Sequence, residues 1–123
     1  MTDFEIPDCQ IFVDAETSER ELIGLVAQFL FADGDSPGCE AKVARNEDYD
    51  STRRKQFPGG FIYFRYTIDL YVDDDAQPRK IGLVTNLLEG LWSWGVAAVA
   101  ACDFEDRLPN NGGYKSTAVP WPE

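Results

Sequence analysis

The hydrophobic and polar positions along the chain predict six regular elements. In Cys9 to Asp14, Ile11 and Val13 share one face and Phe12 takes the other, the period-two alternation of a strand. Ser18 and Glu21 form an S-x-x-E capping box, which supplies partners for orphan amides at a helix start. Leu22, Leu25, Val26 and Phe29 then recur at helical spacing, and Gly34 is placed to end the helix. Cys39 to Arg45 reads as a second strand, with Ala41 and Val43 inward. After a long polar connection over 46–60, Phe61 to Val72 reads as a sustained strand. Ile62, Phe64, Tyr66, Ile68, Leu70 and Val72 share its core face, and Phe61, Tyr63, Arg65, Thr67, Asp69 and Tyr71 the other. Pro78 suits the first turn of a second helix, which Ile81, Val84, Leu88 and Leu91 stripe, Leu87 and Trp94 widen and Gly95 closes. Val96 to Phe104 is the last strand, its alanines open to close approach by a neighbour.

The order β-α-β-β-α-β predicts an α+β, ferredoxin-like sandwich. Two right-handed crossovers give a four-stranded antiparallel sheet with both helices on one face and the first and third strands central. A single domain over 1–123 is expected, with an N-terminal arm (1–8), the 46–60 loop and a C-terminal tail (105–123). The loop exceeds the usual connection length, so it is expected to be either mobile or functional. The helix-free face would expose Phe12, Phe61, Tyr63 and Tyr71 unless the tail or a partner covers it. In the tail, Asn110-Asn111-Gly112-Gly113 reads as a turn.

Charge changes the picture most. The 123 residues hold 22 Asp plus Glu, 11 Lys plus Arg and no histidine, a formal net charge of −11. Met1 to Asp50 holds 13 of the acids and 3 of the bases. Without histidine there is no Ser-His-Asp or Cys-His catalysis and no imidazole-ligated zinc. The negative field disfavours nucleic acid and anionic membrane as partners. Cys9, Cys39 and Cys102 are odd in number and widely spaced, which suits buried small hydrophobes rather than a disulfide framework or a metal site. No signal-like or membrane-spanning stretch is present, so a cytoplasmic protein is expected.

Three acidic groups are candidates for chemistry. Asp73-Asp74-Asp75 offers hard-cation ligands, but consecutive residues cannot all face one ion, and a solvated turn before a helix is the simpler reading. Asp33-Gly34-Asp35 is a calcium-loop fragment without the remaining ligands. Asp103, Glu105 and Asp106 could pair carboxylates for acid-base work or magnesium. No phosphate cradle or nucleophile elbow accompanies them, so no catalytic residue, cofactor or metal site is assigned.

Two resemblances bear on function. Ile11-Phe12-Val13-Asp14 and Gly60-Phe61-Ile62-Tyr63-Phe64 resemble the first- and third-strand motifs of RNA recognition motif domains. That resemblance implies base stacking by Phe12, Phe61 and Tyr63. No basic residue precedes Gly60, and the net charge opposes RNA. In size, charge and lack of catalytic motifs the chain resembles the immunity proteins of bacterial toxin systems, in kind rather than by any motif.

The expectation is a small acidic binding protein, a stoichiometric inhibitor of a basic protein such as a toxin. Tyr49, Phe61, Tyr63 and Tyr71 are the expected aromatic anchors, and Asp73, Asp74, Asp75, Asp103, Glu105 and Asp106 the expected charged contacts. Alternatives are a carboxylate-dependent enzyme, an RNA-recognition-like binder, an acidic nucleic-acid mimic, and a homodimer through the open sheet face.

Overall fold

The period-two segments and capped stripes become strands and helices in the expected order. The computed structural model describes residues 6–31, 38–73 and 77–122. Its elements are β1 (Cys9–Asp14), α1 (Glu19–Leu30), β2 (Cys39–Arg45), β3 (Tyr66–Val72), α2 (Gln77–Ser93) and β4 (Ala97–Ala101). The antiparallel sheet runs β2-β3-β1-β4, so β1 and β3 are central, as the ferredoxin-like plan requires. The acidic positions 33, 35, 74 and 75, and Gly34, lie outside the described residues.

α1 begins as its sequence dictates. Ser18 Oγ accepts the Glu21 N–H at 3.1 Å, and Glu21 Oε1 accepts the Ser18 N–H at 3.4 Å. Leu22, Val26 and Leu30 of α1, with Leu83, Val84, Leu87, Leu88 and Leu91 of α2, are buried against one face of the sheet. Ile11, Val13, Tyr66, Ile68 and Leu70 meet them from that face. The helices approach closely at Gly90, where a Cβ would fall inside the Phe29 ring. Trp94, expected to widen the core stripe, is instead 60% exposed.

Two strands are shorter than their patterns suggest. Phe61 to Tyr63 belong to a 3-10 turn (Gly59–Tyr63), and β3 starts only at Tyr66. Asn46 causes the break, because its Nδ2 donates to both Ile62 O and Phe64 O at 2.8 Å, taking carbonyls a ladder would use. Phe64 is thereby turned to the opposite face from Tyr66, and Ile62 points to solvent. At the other end, β4 stops at Ala101, and Cys102 begins a turn that Glu105 closes. Glu105 Oε2 accepts the Cys102 N–H at 3.2 Å, and the Glu105 N–H donates to Cys102 O at 3.3 Å.

The connection over 46–60 is folded. Asp50 Oδ1 accepts the Thr52 and Arg53 N–H groups at 2.9 and 2.8 Å and starts a short 3-10 turn, Arg53–Lys55. The tail is folded too. Asn110, Asn111, Gly112 and Gly113 all have positive φ, the conformation those residue types tolerate best, and they bring the tail against the edge of β4. A Cβ at Gly113 would lie 2.7 Å from Ala98 O, so only glycine fits there. The same carbonyl accepts Trp92 Nε1–H at 3.0 Å, which leaves that edge blunted.

Candidate functional site

Register and side-chain parity divide the helix-free face of the sheet into two halves. One row runs Ala44, Thr67, Phe12 and Val99 across the four strands, and the next runs Lys42, Asp69, Gln10 and Ala101. A third is Glu40 opposite Tyr71, near the ends of β2 and β3. The first row is apolar, and the second and third are polar and acidic.

The chain covers the apolar half itself. Phe64, Ala97 and Val99 are buried there, with Phe12, Phe61, Tyr114 and Trp121 packed around them. The rings meet edge to face: Phe12 on Phe61 at 5.3 Å, Phe61 on Tyr114 at 5.7 Å, and Trp121 on Phe64 at 5.2 Å and Phe57 at 5.0 Å. Phe12 and Phe61, the stacking residues that the RNA-binding resemblance implies, are thus engaged by the tail.

At the rim of this cover Arg54 forms an ion pair with Asp14, whose side chain is only 5% exposed. Asp14 Oδ1 also accepts the Arg65 N–H at 3.2 Å. A pocket of about 290 Å3 opens beside this pair, lined also by Glu16 and Trp121, but both carboxylate oxygens of Asp14 already hold partners. Nearby, Arg65 lies over the Tyr49 ring and donates to its hydroxyl at 2.9 Å. Arg45, Asn46, Tyr49 and Arg65 line a second pocket of about 250 Å3.

The polar half carries an open cleft of about 460 Å3, lined by Ile6, Pro7, Asp8, Gln10, Asp69, Ala101, Cys102 and Asp103. Gln10 Nε2 donates to Asp69 Oδ1 at 3.0 Å, and Lys42 lies over the Tyr71 ring. Asp8 Oδ1 holds Lys80 at 2.9 Å, and its Oδ2 accepts the Val72 N–H at 2.7 Å, which fixes the start of β1 against β3. Asp69 and Asp103 have no ion-pair partner among the described residues, and both line the cleft.

Of the residues expected to bind a partner, Tyr71 and Asp103 belong to this surface, and Asp73 follows the end of β3, exposed. Asp106 is exposed in the 3-10 turn Glu105–Arg107. Glu105 is half-buried and its carboxylate is occupied by the Cys102 N–H. Tyr49 sits apart beside Arg65, and Tyr63, expected on the sheet face, is in the Gly59–Tyr63 turn beneath Arg53. Phe61 is a lid residue rather than an open one. Sequence reasoning missed Asp8, Gln10, Asp69 and Glu40. Their parity with Phe12 and Tyr71, set against the ferredoxin-like strand order, is the signal that would have found them.

Local structure shifts a few acidities. Asp50 is held below the ordinary carboxylate value, first by the Arg53 N–H and then by the Thr52 N–H that its oxygen accepts. The Cys9 thiol is pushed up, chiefly by its hydrogen bond with Cys102 and then by burial, while the same contact draws Cys102 down. Burial raises Cys39. Among the described residues no group of three or more Cys, Asp or Glu side chains could hold a metal ion, and no helix is long and apolar enough to cross a membrane. No protein-family model matches the sequence, and comparison with curated proteins and with solved structures gave no significant match.

Proposed function

We propose that this chain is a small acidic binding protein that acts stoichiometrically on a basic protein partner, as an inhibitor of the immunity type. The observation that carries this reading is the division of the sheet face. Its apolar half is filled by the chain's own tail and long connection, which leaves the half bearing Asp69, Asp103, Glu40 and Tyr71 as contact surface. A partner meeting that half encounters carboxylates around a half-buried tyrosine, an arrangement suited to Lys and Arg side chains and not to an apolar helix. The field of a chain at −11 would steer such a partner and speed encounter at low salt. Toxin neutralisation by covering a basic active cleft uses this chemistry.

The test is a basic protein recovered by affinity capture and then measured against the purified chain. One-to-one binding should appear, with an association rate that falls steeply from low to physiological salt. Asp69→Asn with Asp103→Asn should slow association further while leaving the fold intact. An association rate that is flat with salt and indifferent to these changes would reject the assignment.

A further inference from the structure

Cys9 and Cys102 face one another across the end of the β1–β4 pair. Gln10 is registered with Ala101, so the next antiparallel step sets Cys9 against Cys102, and both belong to the helix-side core face with Ile11 and Ala100. The step is a non-hydrogen-bonded one. Cys102 directs its N–H and carbonyl to Glu105, as Ala98 directs its carbonyl to Trp92, both away from β1. Opposed residues at such positions have Cα atoms about 4.5 Å apart, within the span of about 4.4–6.8 Å that a disulfide accepts. The two thiols are close enough to shift one another's acidity.

The two differ in access. Cys9 is 1% exposed, whereas Cys102 is half-buried at the end of the sheet. Cys39 lies on β2, at the opposite edge of the sheet. All three thiols are free.

We propose that Cys9 and Cys102 are a thiol pair built to be oxidised to a disulfide by a low-molecular-weight disulfide, such as oxidised glutathione, that reaches the half-buried Cys102. The Cys102 thiolate attacks one sulfur of the reagent, forming a mixed disulfide and releasing one glutathione thiolate. The Cys9 sulfur then attacks Cys102 Sγ and expels the second. The protein pair gives up two electrons and two protons, and the reagent leaves as two molecules of reduced glutathione. The lowered pKa of Cys102 favours it as the first nucleophile, and burial keeps the reagent from Cys9, which is left to act second and gives up its proton as it attacks. The bond would tie the beginning of β1 to the end of β4 beside the acidic surface, and so lock the rim on which Asp8 and Asp103 stand.

The folded protein carrying Cys39→Ser would be treated with oxidised glutathione, its remaining thiols alkylated, and the products mapped by mass spectrometry without reduction. The expected product is an intramolecular Cys9–Cys102 link that retains no glutathione. With Cys9→Ala added, glutathione should instead stay on Cys102. With Cys102→Ala, Cys9 should remain a thiol. Glutathione retained on Cys102 while Cys9 is present, or no reaction at Cys102 in protein whose circular dichroism is native, would overturn the proposal.

Discussion

Trp121 Nε1–H donates to the Lys55 carbonyl at 3.1 Å and so joins the last turn of the tail to the long connection after β2. The two segments are far apart in sequence and meet only over the sheet. Trp121 also closes on Phe57 and Phe64, so one indole holds together the layer that shields Ala97 and Val99. Trp121→Ala should remove those contacts and destabilise the protein by roughly 2 kcal/mol, below the fully buried range because the ring is half-buried. Urea unfolding would measure the loss. Binding of a hydrophobic dye to the folded variant would show that the sheet face, rather than the helix side, has opened.

That layer also marks the limit of what the sequence could reveal. Capping at Ser18, the two helical stripes and the strand alternation in β1 and β2 are local signals, and each appears where its pattern predicts. The apparent strand over Phe61 to Tyr63 is different. Its alternation is real, but Asn46, distant in sequence, takes the carbonyls of Ile62 and Phe64. Nothing in the 61–65 sequence announces that competitor. The same holds for the polar half of the face. Asp69 and Asp103 converge only after β1 is placed between β3 and β4, so their relation rests on topology rather than spacing.

Gly90 tests the packing of the two helices. On an exposed helix, replacing glycine by alanine gains up to about 1 kcal/mol. Here the added methyl would enter the Phe29 ring near its attachment point, where rotation cannot clear it. Overpacking costs about 1–3 kcal/mol, so the clash should win and Gly90→Ala should lower stability. Adding Phe29→Ala should return much of the effect, giving a non-additive pair in thermal or urea unfolding.

The Asp50 turn should respond to acid. Its carboxylate accepts two backbone N–H groups in the folded chain, so its folded pKa lies below that of the unfolded chain. Its stabilising contribution is therefore complete above the ordinary value of 3.8 and is lost as pH falls through the lower folded value. Asp50→Asn keeps an acceptor oxygen but cannot titrate, so the turn should lose this part of its acid sensitivity. Amide exchange at Thr52 and Arg53, followed between pH 6 and pH 2, would detect it. Equal acid sensitivity in the two proteins would assign the transition to other carboxylates.

Asp14 and Arg54 give the sharpest energetic test, because both side chains are mostly withdrawn from water, at 5% and 14% exposure. An exposed ion pair is worth little, but removing one member of a buried pair strands the other without solvent or countercharge. Arg54→Met should leave the Asp14 carboxylate with only the Arg65 N–H and cost about 3 kcal/mol. Combining it with Asp14→Asn removes the stranded charge and keeps an oxygen for that N–H. The double variant should therefore be more stable than Arg54→Met alone, even though it departs further from the natural sequence. Denaturation of the four proteins in a double-mutant cycle would measure the coupling. A double variant less stable than Arg54→Met would mean that Asp14 finds adequate solvation without its arginine, and that the ion pair contributes orientation of the lid more than its strength.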